Sequence, residues 1–227
     1  MSQFTILLWT GHTIEVISPL VPVVAAIVSR RSSRFIHHPW MDRLALVVAF
    51  NLLVNWALVG MSIQRIHNAW FVNLTFLPEV GLALWVLSGL GSSRFPVFAL
   101  VPAAAALLGV TILEAASTGL WIKWLTSMTI SSILLLAFCL WGLKEFFLQP
   151  VGPPAFHQPA FWVLAAWTLE QGIRTTFNPL FNLFLRHLSH DLILVPWVLI
   201  YAIGLVLNLI LSRAFLCPKF SSSSAIS

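Results

Sequence analysis

The sequence predicts an all-α membrane protein, a bundle of seven transmembrane helices with its N-terminus outside and its C-terminus in the cytoplasm. Three observations predict this. The 227 residues are 59% hydrophobic and 8% charged, with a mean hydropathy of +0.93. A soluble domain is about a quarter charged, so this chain has too few polar groups to cover its own surface in water. The apolar residues fall into seven stretches, each about as long as a span of hydrocarbon requires. Lys and Arg collect between the stretches with a one-sided bias.

The first stretch, 4–28, begins without a preceding basic residue and ends without a small-residue cleavage site, so it is expected to be a retained helix. Pro19 and Pro22 break it up. The second stretch is 44–62, and the third, 70–90, carries Pro78 immediately before Glu79. The fourth, 97–118, holds Pro102 and two sets of small residues, Ala103–Ala106 and Ala115-x-x-x-Gly119, that allow close helix approach or a dimer contact. The fifth is 125–147, the sixth, 160–183, contains Pro179, and the seventh is 193–214. The longest connections, "SRRSSRFIHHPWMD" (29–42) and "QPVGPPAFHQP" (149–159), are too short to be domains. Residues 1–214 are therefore one transmembrane domain, and 215–227 are a short cytoplasmic tail expected to be disordered.

Orientation follows from the cations. Arg30, Arg31, Arg34, Arg43, Arg94, Lys144, Arg213 and Lys219 fall on one side, and Arg65, Lys123 and Arg186 on the other. Eight against three places the first set in the cytoplasm. The net charge of +5 forms no stripe, which argues against a nucleic-acid partner. Trp40, Trp70, Trp121, Trp124, Trp162 and Trp197 lie near predicted helix ends, as in a headgroup belt. Trp9, Trp56, Trp85, Trp141 and Trp167 lie deeper, where they pack or line a pocket.

The acids are the informative residues. Four of the seven, Glu15, Glu79, Glu114 and Glu170, fall inside predicted spans. A charge at mid-bilayer costs about 2.5 kcal/mol or more, so such groups face the bundle interior and pair. Glu15, Glu79 and Glu170 sit near the middle of their spans. Asn51 and Asn55 share a face of the second helix, and His12 shares one with Glu15. Arg174 is placed to pair with Glu170 at i,i+4, next to Gln171. Glu114 lies in the outer half of its helix. The candidate site is thus His12, Glu15, Asn51, Asn55, Glu79, Glu114, Glu170, Gln171 and Arg174, a polar pocket in the outer half of the bundle.

Three functional readings stay open beside a purely structural polar network: a sensor, receptor-like or complex-subunit protein, a proton-coupled small-molecule transporter, and a lipid-modifying membrane enzyme. No Gly-rich phosphate loop and no G-x-S-x-G occurs, so no catalytic residue is assigned. One His with scattered carboxylates is not a metal pattern, and no metal site is expected. The cofactor is left open. Cys139 and Cys217 are far apart and imply no disulfide framework, though Cys217 stands where a lipid anchor is possible. "NLT" at 73–75 matches a glycosylation acceptor inside a span and reads as chance. The loops are too short for an output domain, so signalling requires a partner protein at the cytoplasmic face. The other expected partners are the lipid bilayer and an unknown small molecule or lipid.

Three segments carry a resemblance. "IHNAWFVNLTFLPEVGLALWVL" (66–87) has Asn-x-Trp at its start and a mid-helix glutamate. "PAFWVLAAWTLEQG" (159–172) begins Pro-x-Phe-Trp, and "IYAIGLVLNLILSRAFLC" (200–217) has an inner-half Asn. This layout resembles a broad family of uncharacterised bacterial seven-helix integral membrane proteins. The resemblance implies a bacterial inner-membrane location and draws attention to Glu79, and it brings no activity with it.

Overall fold

The structure, a computed structural model, describes residues 3–90, 97–148, 154–187 and 190–219. They form eight helices in chain order: α1 (Gln3–Ile17), α2 (Leu20–Arg31), α3 (Pro39–Ile63), α4 (Ala69–Gly89), α5 (Val97–Thr118), α6 (Leu125–Leu148), α7 (Pro159–His187) and α8 (His190–Phe215). A single 3-10 turn, Ala155–His157, precedes α7. Among the described residues there is no strand, only an isolated antiparallel bridge between Phe35 and Pro218.

Among the described residues six segments are long and apolar enough to cross a membrane: Ile6–Arg31, Pro39–Ile63, Ala69–Gly89, Phe98–Thr118, Leu125–Leu148 and Val198–Phe215. The first of them is α1 and α2 together. The helix α7 is longer than the others, at 29 residues, but its apolar run is interrupted by Glu170, Gln171, Arg174 and Asn178. The outer surface is that of an integral membrane protein. Phe98, Leu113, Phe147 and Val101 are 84%, 72%, 74% and 71% exposed, while Asn73, Ser127 and Gln171 are buried. Large side chains out and polar ones in is the arrangement that hydrocarbon as solvent rewards.

The break between α1 and α2 has a covalent cause. Pro19 and Pro22 have no N–H, so the carbonyls of Glu15 and Ser18 lose their helical donors. The Ser18 carbonyl finds a new donor, and two further bonds hold the break in place. The Val21 N–H donates to the Ser18 carbonyl at 3.3 Å, and the Trp56 indole N–H donates to the Val16 carbonyl at 3.2 Å. The Asn208 amide donates to the Ser18 hydroxyl at 2.7 Å. The interruption is thus tied to α3 and α8.

The apolar core lies at the end of the bundle that carries Arg30, Arg31, Arg43 and Arg213. Met41, Leu44, Val86, Leu87, Val163, Leu164, Ala214 and Phe215 are buried there. Helices α3 and α4 meet closely at Gly89, where an added Cβ would stand 2.9 Å from the Trp40 Cβ and 3.0 Å from an Arg43 nitrogen. Since the Trp40 Cβ cannot swing away, Gly89→Ala is expected to cost about 1–3 kcal/mol by overpacking. An unchanged melting midpoint in detergent would show that the helices do not approach there.

Two expectations need correction. Trp40 and Trp124 are not belt residues, since both are buried in the protein, at 8% and 5% exposed. The Trp124 indole is drawn inward by the Gly119 carbonyl, to which it donates at 3.0 Å. The start of the tail is also ordered. The Ile36 N–H donates to the Cys217 carbonyl at 2.9 Å, and the Lys219 N–H to the Arg34 carbonyl at 2.9 Å. These bonds clamp 217–219 to the α2–α3 loop. Residues 220–227, Arg94 and the side chain of Trp197 lie outside the described residues.

A polar cavity at mid-bundle as the candidate functional site

A cavity of about 420 Å³ lies in the middle of the bundle. Its wall takes Glu15 from α1, Asn51 and Asn55 from α3, Thr75 and Glu79 from α4, Ser131 and Ser132 from α6, Glu170, Gln171, Arg174 and Asn178 from α7, and Tyr201 and Asn208 from α8. The helix break contributes Ser18 and Pro19. Seven of the nine residues singled out in the sequence therefore share one space.

Charge is concentrated in a triad. Arg174 Nη1 is 3.0 Å from Glu79 Oε1, and Arg174 Nη2 is 2.8 Å from Glu170 Oε1. The second contact is the expected i,i+4 pair, and the first crosses from α7 to α4. The three side chains are not packed away. They are 44%, 30% and 31% exposed for Arg174, Glu79 and Glu170, so the charges face an open space. One guanidinium balances only one of the two carboxylates.

Glu15 stands apart from the triad with its own partners. His12 Nδ1 is 3.5 Å from Glu15 Oε2, and the Tyr201 hydroxyl hydrogen-bonds to the carboxyl. His12 is one shell back and does not line the cavity. Tyr201 was not found by sequence reasoning, although it is the only tyrosine in the chain. Asn208 was noted only as the inner-half Asn of the last helix, and Ser18, Ser131 and Ser132 were missed because nothing short-range distinguishes them from packing residues.

Glu114 is elsewhere. It reaches from α5 to the start of α6, where Oε1 accepts the Thr126 N–H at 3.0 Å and Oε2 accepts the Ser127 N–H at 2.7 Å and the Ser127 hydroxyl. A carboxylate there satisfies orphan donors of the helix and favours its positive end. Glu114→Ala is expected to destabilise by about 1–2 kcal/mol, the usual loss on removing an N-cap. Amide exchange at Thr126 and Ser127 should accelerate with it, and unchanged exchange would contradict the capping role.

The buried Asn73 was read only as part of a chance glycosylation match. It is fully buried and holds the α5–α6 turn. Its amide donates to the Leu120 and Ile122 carbonyls at 2.9 and 2.7 Å, and its carbonyl accepts the Trp124 N–H at 3.1 Å. Lys123 in the same turn is buried enough that desolvation lowers its pKa.

The tail cysteine is inert. Burial pushes the Cys217 thiol up to about 11, offset only in part by Arg213, and the thiol donates to the Arg213 carbonyl at 3.2 Å. With Cys217 3% exposed, a lipid anchor there does not fit this fold. The thiolate is the reactive form, so a thiol of this kind is almost wholly unreactive at pH 8. Maleimide should label neither Cys217 nor the fully buried Cys139 in folded protein and both after unfolding; fast labelling of folded protein would contradict the packing of the tail.

Among the described residues no group of three or more His, Cys, Asp or Glu is placed to hold a metal ion. The cavity wall offers carboxylates, one guanidinium, hydroxyls and amides. Chemically, that set can orient and desolvate a small polar guest, and its unbalanced carboxylate can take up a proton or a cation.

Compared with protein families, with curated proteins and with solved structures, the chain matches nothing. Its function must be argued from the cavity.

Proposed function

We propose that this chain is a seven-helix protein of the bacterial inner membrane, N-terminus outside and C-terminus in the cytoplasm, and that it acts as a sensor-like or complex-subunit protein. In this reading its cavity binds a small polar molecule or a lipid group, and a partner protein reads the cytoplasmic face. The supporting observation is the cavity itself, about 420 Å³ at mid-depth and walled by the acids and amides of separate helices. That volume is in the range of small-molecule sites. The helix α7 makes the seventh crossing, since its charged residues turn to the cavity and need not meet lipid.

Native mass spectrometry of the gently extracted protein tests the binding role. A retained small molecule or a specific lipid, lost on Gln171→Leu, is the expected result. A chain that always flies bare counts against it. For the orientation, a C-terminal fluorescent-protein fusion should glow and a C-terminal alkaline phosphatase fusion should be inactive.

A second reading, proton-coupled transport, is favoured by one observation. The helix break at Ser18–Pro19 lies on the cavity wall beside Glu15, and interrupted helices at mid-membrane are a common feature of carriers. In liposomes with an imposed pH gradient, Glu79→Gln should abolish flux. Absence of flux in the wild type ends this reading.

A further inference from the structure

The cavity has a charge preference as well as a volume. This inference rests on the reading of the cavity as a ligand site. The charged side chains on its wall are Glu15, Glu79, Glu170 and Arg174. Both terminal nitrogens of Arg174 are engaged, one by each of the two glutamates. Neither Glu79 nor Glu170 has another polar partner among the described residues. Within this triad one negative charge is therefore left over at mid-depth, where unbalanced charge is most costly, and Glu15 is a third carboxylate on the same wall.

A second observation is independent of the acids. Gln171 lines the cavity, is only 7% exposed, and its amide makes no hydrogen bond among the described residues. Asn51, Asn55 and Asn178 on the same wall are likewise without hydrogen-bond partners among the described residues. Buried amides are ordinarily satisfied, and one left open toward a cavity is available to whatever polar guest occupies it. Such amides supply both donors and acceptors. Trp167 and Tyr201 on the wall add aromatic surface of the kind that attracts cations.

An anionic guest fits badly. It would meet three carboxylates, and the sole guanidinium on the wall is already bridged between two of them. An apolar guest would leave the amides unpaired. We propose that the cavity binds a small organic ammonium or guanidinium cation that carries hydrogen-bonding groups, its charge set against Glu79 and Glu170 and its polar groups met by Gln171 and the three asparagines. The ammonium can belong to a free amine or to the headgroup of an aminolipid, since both present the same chemistry.

The test uses the purified full chain in mild detergent, with ethanolamine and agmatine as cationic probes, glycerol as the neutral one and succinate as the anionic one. Titration calorimetry and the thermal midpoint should register at least one cationic probe and neither of the others. Glu170→Gln leaves Arg174 paired with Glu79 and should fold, and it should weaken the cation at least tenfold. Gln171→Leu breaks no ion pair and should weaken it several-fold. In nanodiscs, retention of phosphatidylethanolamine over phosphatidylglycerol that is lost in Glu170→Gln, with no binding of free ethanolamine or agmatine, would support the cation and assign it to the lipid headgroup. Binding of glycerol or succinate without any cation overturns the charge preference and leaves the cavity as a ligand site. No binding by any probe, together with no co-purified molecule or lipid, overturns both.

Discussion

Replacing Arg174 by leucine is expected to cost about 3 kcal/mol, the lower end of what breaking a buried ion pair costs, because the guanidinium borders an accessible cavity. The substitution would leave Glu79 and Glu170 facing each other with no counter-charge in the middle of the membrane. A carboxylate can escape only by taking up a proton. Glu170→Gln should behave very differently. It removes the surplus charge and leaves the Arg174–Glu79 pair at 3.0 Å intact, so the loss should stay within about 1 kcal/mol. Arg174→Lys should fall between them, since one ammonium cannot fork to two carboxylates as a guanidinium does. Thermal midpoints of the three variants in one detergent check the order. Equal losses for Arg174→Leu and Glu170→Gln would show that Arg174 is not the counter-charge on which the two carboxylates depend.

The second large effect is expected at Asn73. Asn73→Leu keeps the branched shape and removes three hydrogen bonds at once. The Leu120 and Ile122 carbonyls and the Trp124 N–H lose their side-chain partner. An unmet buried polar group costs about 1–3 kcal/mol, and water can reach part of this turn, so a loss of about 3 kcal/mol is expected in total. The turn also places the start of α6, where Glu114 caps. Amide exchange should therefore accelerate from Leu120 through Ser127. A melting midpoint within a degree of wild type would contradict the pinning role.

The helices were legible in the sequence because bilayer thickness fixes their length and composition fixes their solvent. All seven predicted stretches fall on helices, with ends displaced by a few residues. Pro19 and Pro22 announced the break between α1 and α2, since a missing N–H is visible in the sequence alone. The sixth stretch, 160–183 on α7, by contrast, does not meet the apolar standard of the other six. Its polar residues belong to an interior wall, and interior position is a tertiary fact. The site was legible to the same extent. Acids and amides at mid-depth have little choice but to converge, and Glu15, Asn51, Asn55, Glu79, Glu170, Gln171 and Arg174 do. Glu114 sits near a helix end, where an orphan N–H is an alternative to a pocket, and the sequence could not choose between them. Asn73 shows the opposite failure. Its partners are backbone groups about fifty residues away, and a backbone carbonyl leaves no trace in residue type. The clamp between the tail and the α2–α3 loop was hidden for the same reason.

A polar cavity at mid-membrane behind an apolar exterior gives α3 one face open to water and one face against lipid. Cysteine accessibility tests it most directly, because both native cysteines are buried. Asn51→Cys and Leu53→Cys lie within one turn of α3, the first on the cavity wall and the second 64% exposed on the outer, lipid-facing surface. In membranes, a small cationic methanethiosulfonate reagent should modify Asn51→Cys rapidly and leave Leu53→Cys unmodified, since thiols in hydrocarbon do not ionise. Equal resistance at both positions, or faster reaction at Leu53→Cys, would contradict the cavity.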